Sequence, residues 1–285
     1  MSGTTGIEWT DRTWNPVTGC TKVSPGCANC YIERTPPFRI SGRKFVKGHI
    51  PLQFHEDRLL EPLFWRKPSR VFVNSMSDLF HEDVPDAFID KVFAVMALAS
   101  QHTYQILTKR PARMYGYFDG DIECMFERWA DAALTIQPLG DGENATEEAA
   151  SRYEEVASLD WPLPDVWLGV SVENQRFADE RIPLLLQTPA AVRFISAEPL
   201  LAPVDASIYM ASGYDDLPHD DILNWVIVGG ESGPNARPMK ADWARSIRDQ
   251  CQAAAIPFFF KQWGGRTPKS GGRLLDGRTW DEYPA

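Results

Sequence analysis

The run Val166-Trp167-Leu168-Gly169-Val170-Ser171-Val172-Glu173-Asn174 changes character partway along. Its first half is continuously apolar, which reads as a short strand covered on both faces. Its second half is polar and leads into a helical pattern from about Gln175 to Leu186. The same sequence grammar recurs along the chain. Val71-Phe72-Val73 runs into Asn74-Ser75-Met76-Ser77-Asp78, and Tyr104-Gln105-Ile106-Leu107 into Thr108-Lys109-Arg110-Pro111. Val192 to Ile195 ends in Ser196-Ala197-Glu198-Pro199, Trp225 to Val228 in Gly229-Gly230-Glu231-Ser232, and Pro257 to Phe260 in Lys261-Gln262-Trp263. Between these strands lie helical stripes. Phe88, Ile89, Val92, Phe93, Val95, Met96 and Ala99 form one behind Pro85, and Trp243, Ile247, Cys251 and Ala254 form another.

Strands alternating with helices imply parallel pairing and right-handed crossovers. Polar residues gather at the C-terminal end of each strand, the end where α/β folds build their sites. More than one crevice's worth of strands contribute, which favours a shared mouth. The expected fold is α/β, a partial TIM-like (β/α)6 barrel with parallel strands over residues 1–263. Two insertions interrupt it, at about 119–165 and 203–223, and a Gly/Arg-rich tail follows at 264–285. Residues 7–19 are expected to supply a short first strand. Residues 31–69 read as a helix followed by irregular chain carrying His49 and His55.

Length and composition set the outer limits. A chain of 285 residues can bury one substantial core. A net charge of −10 argues against a protein that coats nucleic acid electrostatically, yet leaves room for a local basic groove. No apolar run approaches the roughly 18–20 residues of a membrane span. The N-terminus lacks the pattern of a signal peptide, so the expectation is cytoplasmic, with reduced thiols and no membrane partner. Most of the ten tryptophans read as core aromatics.

Three of the five cysteines fall in Thr18-Gly19-Cys20-Thr21-Lys22-Val23-Ser24-Pro25-Gly26-Cys27-Ala28-Asn29-Cys30-Tyr31, spaced Cys-x6-Cys-x2-Cys. Glycine and proline make this a loop that turns back on itself. Convergent thiolates at Cys20, Cys27 and Cys30 form a metal-ligand set one short of four. A structural zinc site would recruit His49 or His55 as the fourth ligand. Cys251 reads as helix core and Cys124 as an incidental thiol in the first insertion.

These cysteines, the last followed by an aromatic, resemble the radical S-adenosylmethionine superfamily. The first gap is longer than that superfamily's usual three residues. The wider set of Trp14-Asn15-Pro16-Val17-Thr18-Gly19-Cys20, Ser196-Ala197-Glu198-Pro199-Leu200, Gly229-Gly230-Glu231-Ser232-Gly233 and Phe259 to Gly265 resembles a phage and bacterial "three-Cys-motif" family. The resemblance implies a [4Fe–4S] cluster on Cys20, Cys27 and Cys30, with the fourth iron open to S-adenosylmethionine. It further implies reductive cleavage of that molecule to methionine and a 5′-deoxyadenosyl radical, the cofactor supplying the chemistry and the protein the orientation.

The implied residue roles follow the strand ends. Ser75 and Ser77 stand where the superfamily often has a Gly-Gly-Glu segment, which this chain lacks. Spore photoproduct lyase is the nearest characterised analogue, with a serine there and a Thr-Lys at the next strand end. Thr108-Lys109 is similar, and Lys109 would meet the methionine carboxylate. Ser171 and Glu173 match the ribose-contacting position. Glu198, Glu231 and Lys261 are left as candidates for catalysis on the substrate, or for ion pairs along the rim. The lyase-like pattern points to a nucleobase or nucleic-acid substrate, and a phage-type enzyme implies a second protein as partner. Asp78 and His81 read either as a proton-transfer pair or as caps of the helix at Pro85. Two other functions compete: a non-catalytic zinc-stabilised barrel acting as a phage interaction module, and a hydrolase with Glu173, Glu198 and Glu231 around a divalent metal.

Overall fold

A computed structural model describes residues 5–136, 145–211 and 222–285. Parts of both insertions, residues 137–144 with the acidic run Asp141-Gly142-Glu143 and residues 212–221, lie outside the described residues. In chain order the strands are β1 (Arg12–Trp14), β2 (Val17–Thr21), β3 (His49–Phe54), β4 (Arg70–Val73), β5 (Thr103–Thr108), β6 (Val166–Ser171), β7 (Val192–Ala197), β8 (Trp225–Gly229) and β9 (Phe258–Gln262). The helices are α1 (Pro36–Ser41), α2 (Glu56–Leu59), α3 (Asp86–Leu98), α4 (Pro111–Phe118), α5 (Ile122–Thr135), α6 (Ala145–Ala157), α7 (Gln175–Leu186) and α8 (Ala241–Ala253).

Seven strands form one sheet in the order β1-β4-β5-β6-β7-β8-β9. Every neighbouring pair is parallel, and neighbours in space follow one another in sequence apart from the β2–β3 hairpin. Such an order curls a twisted sheet into a half-barrel. Six crossovers therefore join seven strands. Among the described residues of the β7–β8 crossover there is a 3₁₀ turn, Ser207–Tyr209, and no α-helix.

The two faces of the sheet carry different cores because side chains alternate along each strand. Val71, Val73, Ile106, Leu168, Val170, Ile195, Val226 and Phe260 pack outward against α3, α5, α7 and α8. Phe72, Trp167, Phe194, Trp225, Ile227 and Phe259 point to the concave side, where Trp9 joins them. Gly169 lies on that side, and a Cβ there would meet the Phe194 ring at 2.5 Å. Both ends of the chain plug this interior. Ile7 and Trp9 enter from the N-terminus, and Tyr283 stacks near Trp225 at a centroid distance of 5.2 Å.

The tail docks through Leu275 and Trp280. Both are buried, and Phe259 bridges to Asp281, while Leu274 stays exposed. The first insertion also joins the core: α5 buries Met125, Phe126 and Trp129, and Trp129 stacks on Phe93.

Local structure departs from expectation in three places. Cys20 sits on strand β2 rather than in a loop, paired with Ile50 of β3 across a register shift at Gly19. Gly19 has φ +104°, and a Cβ there would sit 2.3 Å from the Pro51 carbonyl oxygen, so the bulge requires glycine. His49 opens β3 and His55 follows its end, so this segment is not irregular. The hairpin pairs outside the main sheet and carries Pro51 mid-strand, so its short alternation of Ile50, Leu52 and Phe54 reads locally as irregular chain. Third, neither Asp78 nor His81 caps α3, whose N-cap is Pro85 with no side-chain cap.

Candidate functional site

The alternation that builds the aromatic layer continues up the strands into a cavity of about 500 Å³. Its floor is Ile7, Trp9, Phe72 and Leu107. Ser171 and Ser196, direct cross-strand partners, stand on the wall above. Lys109, Glu198 and Lys261 occupy the strand ends, and Cys20, Cys27 and Cys30 complete the wall opposite the floor. The volume lies in the range of small-molecule and cofactor pockets.

The cysteine loop is held down by the strand ends. Ser24 Oγ donates to Glu173 Oε1 at 2.6 Å, and a Cβ on Gly26 would collide with that carboxylate. Glu173 is fully buried and also accepts from Arg181 at 3.1 Å, with Lys109 Nζ 3.8 Å away. Glu231 accepts from Asn29 Nδ2 and from Arg237 Nε, each at 2.9 Å, and Arg237 Nη2 reaches the Pro25 carbonyl. Burial pushes the Glu231 carboxyl up, but hydrogen bonds from Arg237 and Asn29 more than offset this, leaving it below the usual range. Arg110 lies along β2, with Nη2 donating to the Thr21 carbonyl, Nη1 to Asp78 at 3.0 Å, and Cys20 Sγ 4.0 Å from Nη1. Tyr31 donates its hydroxyl to the Ser75 carbonyl.

Each predicted site residue thus has a definite place. Ser75, Ser77, Lys109, Ser171, Glu198, Glu231, Lys261 and the three cysteines all line the one cavity. Glu173 lies beneath the loop instead. Ser75 Oγ donates to Asn15 Oδ1 at 3.1 Å, whereas Ser77 Oγ is buried with no hydrogen-bond partner. Lys261 grips both oxygens of Glu198, at 2.6 and 2.9 Å. Glu173, Glu198 and Glu231 are each committed to different cations, so they do not converge as the hydrolase reading requires.

Asp78 accepts from Thr108 Oγ1 at 2.7 Å and from the Lys109 amide at 3.0 Å, locking the β5 end. His81 is linked elsewhere. The Asp83 amide donates to its Nδ1, so Nε2 carries the hydrogen and donates to Thr21 Oγ1, which is also hydrogen-bonded to His49 Nδ1. His55 bonds Thr18. These contacts take both histidines away from the cysteine wall; neither lines the cavity.

A thiophilic metal group fits the donor chemistry. Burial, then Asp78, pushes the Cys20 thiol up to about 12, and burial raises Cys30 as well. Arg110 acts against this at Cys20, as do Lys109 and Lys22 at Cys30. Thiols in such a place become thiolates by exchanging the proton for a metal. Among the described residues, no three Cys, His, Asp or Glu side chains close on a single point as a mononuclear site requires. Cys251 is buried in α8 and Cys124 is exposed, both apart from the cavity.

A family model described as "Protein of unknown function (DUF5131)" matches residues 4–284, nearly the whole chain. The chain belongs to the DUF5131 family. No curated protein and no solved structure matches it. The DUF5131 match spans the cysteine loop, every strand end and the docked tail, so all of the cavity lies within it.

Sequence reasoning missed Arg237, Asn29 and Arg34 as loop anchors. Arg34 Nη2 donates to the Ser232 carbonyl and packs where a Cβ on Gly233 would stand. Arg237 and Asn29 lie in turns with no periodicity, and only the partner 202 residues from Asn29 reveals its role. Trp9 was legible as a core aromatic but not as the cavity floor.

Proposed function

We propose that this chain is a radical S-adenosylmethionine enzyme built on a partial TIM-like barrel and working in the cytoplasm. The observation that carries the reading is that Cys20, Cys27 and Cys30 line one cavity together with the polar residues at the strand C-termini. A [4Fe–4S] group would hold each of the three thiolates on a different iron and leave the fourth iron open. When bound there with S-adenosylmethionine and a reductant, it would supply the electron that cleaves the sulfonium to methionine and a 5′-deoxyadenosyl radical.

The protein's own residues then divide the work. Cys20, Cys27 and Cys30 hold the cluster, and Arg110 and Lys109 offset thiolate charge. Lys109, 3.8 Å from Glu173, can turn to a carboxylate in the cavity without leaving the buried Glu173 unpartnered, since Arg181 and Ser24 hold it as well. Ser77 offers an unused hydroxyl, and Ser171 and Ser196 offer two more for a ribose. Glu173 supports the loop from below rather than meeting the ribose. The aromatic floor excludes water and suits a planar substrate, a nucleobase or nucleic acid. Glu198 and Lys261, paired at the strand ends on the cavity lining, are the candidates for catalysis on that substrate.

The deciding experiment is anaerobic reconstitution with iron and sulfide, then reductant and S-adenosylmethionine, with an assay for 5′-deoxyadenosine. Product that disappears in Cys20→Ala, Cys27→Ala and Cys30→Ala supports the enzyme. Zinc without acid-labile sulfide, and no cleavage, turns the barrel into a zinc-stabilised phage interaction module.

A further inference from the structure

The chain as a whole is acidic, at −10, but residues 22–48 carry Lys22, Arg34, Arg39, Arg43, Lys44 and Lys47 against the single acid Glu33. Segment 22–48 is therefore +5 in a protein whose remaining residues sum to −15. The cations are not a solvated face of alternating sign. Among the described residues, Arg39, Lys44 and Lys47 are exposed and form no ion pair. Arg43 is turned inward to Gln53, the Pro51 carbonyl and the Phe38 ring, which fixes the segment without neutralising it.

This basic unit is joined to the cavity. Ile32, Phe38 and Ile50 make a small core of its own, with Cys20, Cys30, Phe45 and Met76 packed against it. Lys22 donates to the Ala28 carbonyl within the cysteine loop and lies 4.5 Å from the Phe45 ring. One side of the unit thus rests on the thiol-bearing chain, and the other presents unpaired cations with the exposed apolar side chains Ile40 and Val46. Val23 and Tyr31, also exposed, stand where the unit meets the cavity wall.

We propose that the outer face of residues 22–48 is the docking surface for a single nucleic-acid strand, one nucleotide of which enters the cavity. The inference rests on the nucleic-acid part of the reading above and assigns where the backbone lies. Charge complementarity selects a polyanion, since unpaired guanidinium and ammonium groups gain most from phosphates that release counterions. The cavity narrows the choice. Its aromatic floor and roughly 500 Å³ suit a planar ring, so the ligand must carry phosphate and ring in one repeating unit. An acidic peptide satisfies only the first demand. A single strand, unlike a duplex, presents a base without the cost of extrusion.

The test is fluorescence anisotropy of a labelled strand of about twelve nucleotides. It uses the full chain without added iron or S-adenosylmethionine, so failure of the radical chemistry leaves the result readable. The wild type is expected to bind, with affinity falling between about 50 and 200 mM salt. Charge reversal at Arg39→Glu, Lys44→Glu and Lys47→Glu together should weaken binding at least tenfold and reduce the salt slope by about 2, near 0.7 per lost phosphate contact. The triple alanine variant, with an unchanged melting temperature, should show an intermediate loss. The proposal is overturned if the wild type binds no strand, if the charge-reversed protein binds as tightly, or if polyglutamate displaces the strand as well as unlabelled oligonucleotide does.

Discussion

Ser24 and Glu173 lie 149 residues apart in sequence, yet a 2.6 Å hydrogen bond from the Ser24 hydroxyl to Oε1 of the buried carboxylate ties the cysteine loop to the end of β6. The same carboxylate fills the space that a Cβ on Gly26 would need and pairs with the buried Arg181. Removing it with Glu173→Ala leaves an uncompensated buried guanidinium, at about 3–5 kcal/mol of stability. Glu173→Gln keeps one oxygen to accept from Ser24 or Arg181 but not the charge that faces Arg181, so it should cost less than alanine and loosen the loop. Urea titration separates the two, and cysteine reactivity toward a thiol reagent should rise in the glutamine variant.

Gly26→Ala attacks the same contact from above. A Cβ would stand 2.4 Å from Glu173 Oε1, so the loop must lift. The expected result is a melting temperature within a few degrees of wild type but reduced iron content after reconstitution. Unchanged iron content would show that loop height does not govern metal loading.

Lys261 and Glu198 form a two-point ion pair on the cavity wall, both partly accessible. If the pair only stiffens the rim, the double variant Glu198→Gln/Lys261→Met should be no worse than either single one. If either group meets the ligand, 5′-deoxyadenosine formation or its coupling to substrate falls about tenfold or more in every variant. A double-mutant cycle on activity, with melting temperature as control, distinguishes these.

Gly169 faces the Phe194 ring inside the half-barrel, with only 2.5 Å for a Cβ. Phe194 is itself fully buried and cannot yield. Gly169→Ala should cost about 1–3 kcal/mol by overpacking. Gly169→Ala/Phe194→Leu should recover part of that loss, measured by denaturant midpoint.

Asp165, just before β6, is pushed up to about 6 by burial, and its Oδ2 has no hydrogen-bond partner. A carboxyl raised in the folded state binds its proton more tightly there than in the unfolded chain. Its contribution to stability is full below about pH 4 and is lost as pH rises through about 6. Asp165→Asn should therefore raise the melting temperature by about 2 °C at pH 7 and leave it unchanged at pH 4. An equal effect at both values would assign the gain to packing.

Much of the fold was legible because its signals are local. Apolar runs such as Trp225 to Val228 name buried strands, and the stripe of Ile247 and Cys251 names a helix face. The β2–β3 hairpin was not legible. Ile50, Leu52 and Phe54 do alternate with His49, Pro51 and Gln53, but a proline in the run and a partner strand broken by a glycine bulge speak against a strand when read locally. Within the site, the three cysteines and the polar strand ends announced themselves by residue type. Their division of labour did not.

Sequence alone determined the strand ends that share one cavity, since chain direction and side-chain alternation place Lys109, Ser171, Ser196 and Lys261 without reference to distant residues. It also determined the cysteine spacing and the charge imbalance of residues 22–48. Only tertiary structure decided that Glu173 and Glu231 anchor the loop while Glu198 and Lys261 face the cavity. A carboxylate at a strand end has the same chemistry in either role. Arg181 and Arg237 are close in sequence to Glu173 and Glu231. The loop residues Ser24 and Asn29 reach those carboxylates, and Lys261 reaches Glu198, only through the tertiary fold, and these partners decide which role each takes.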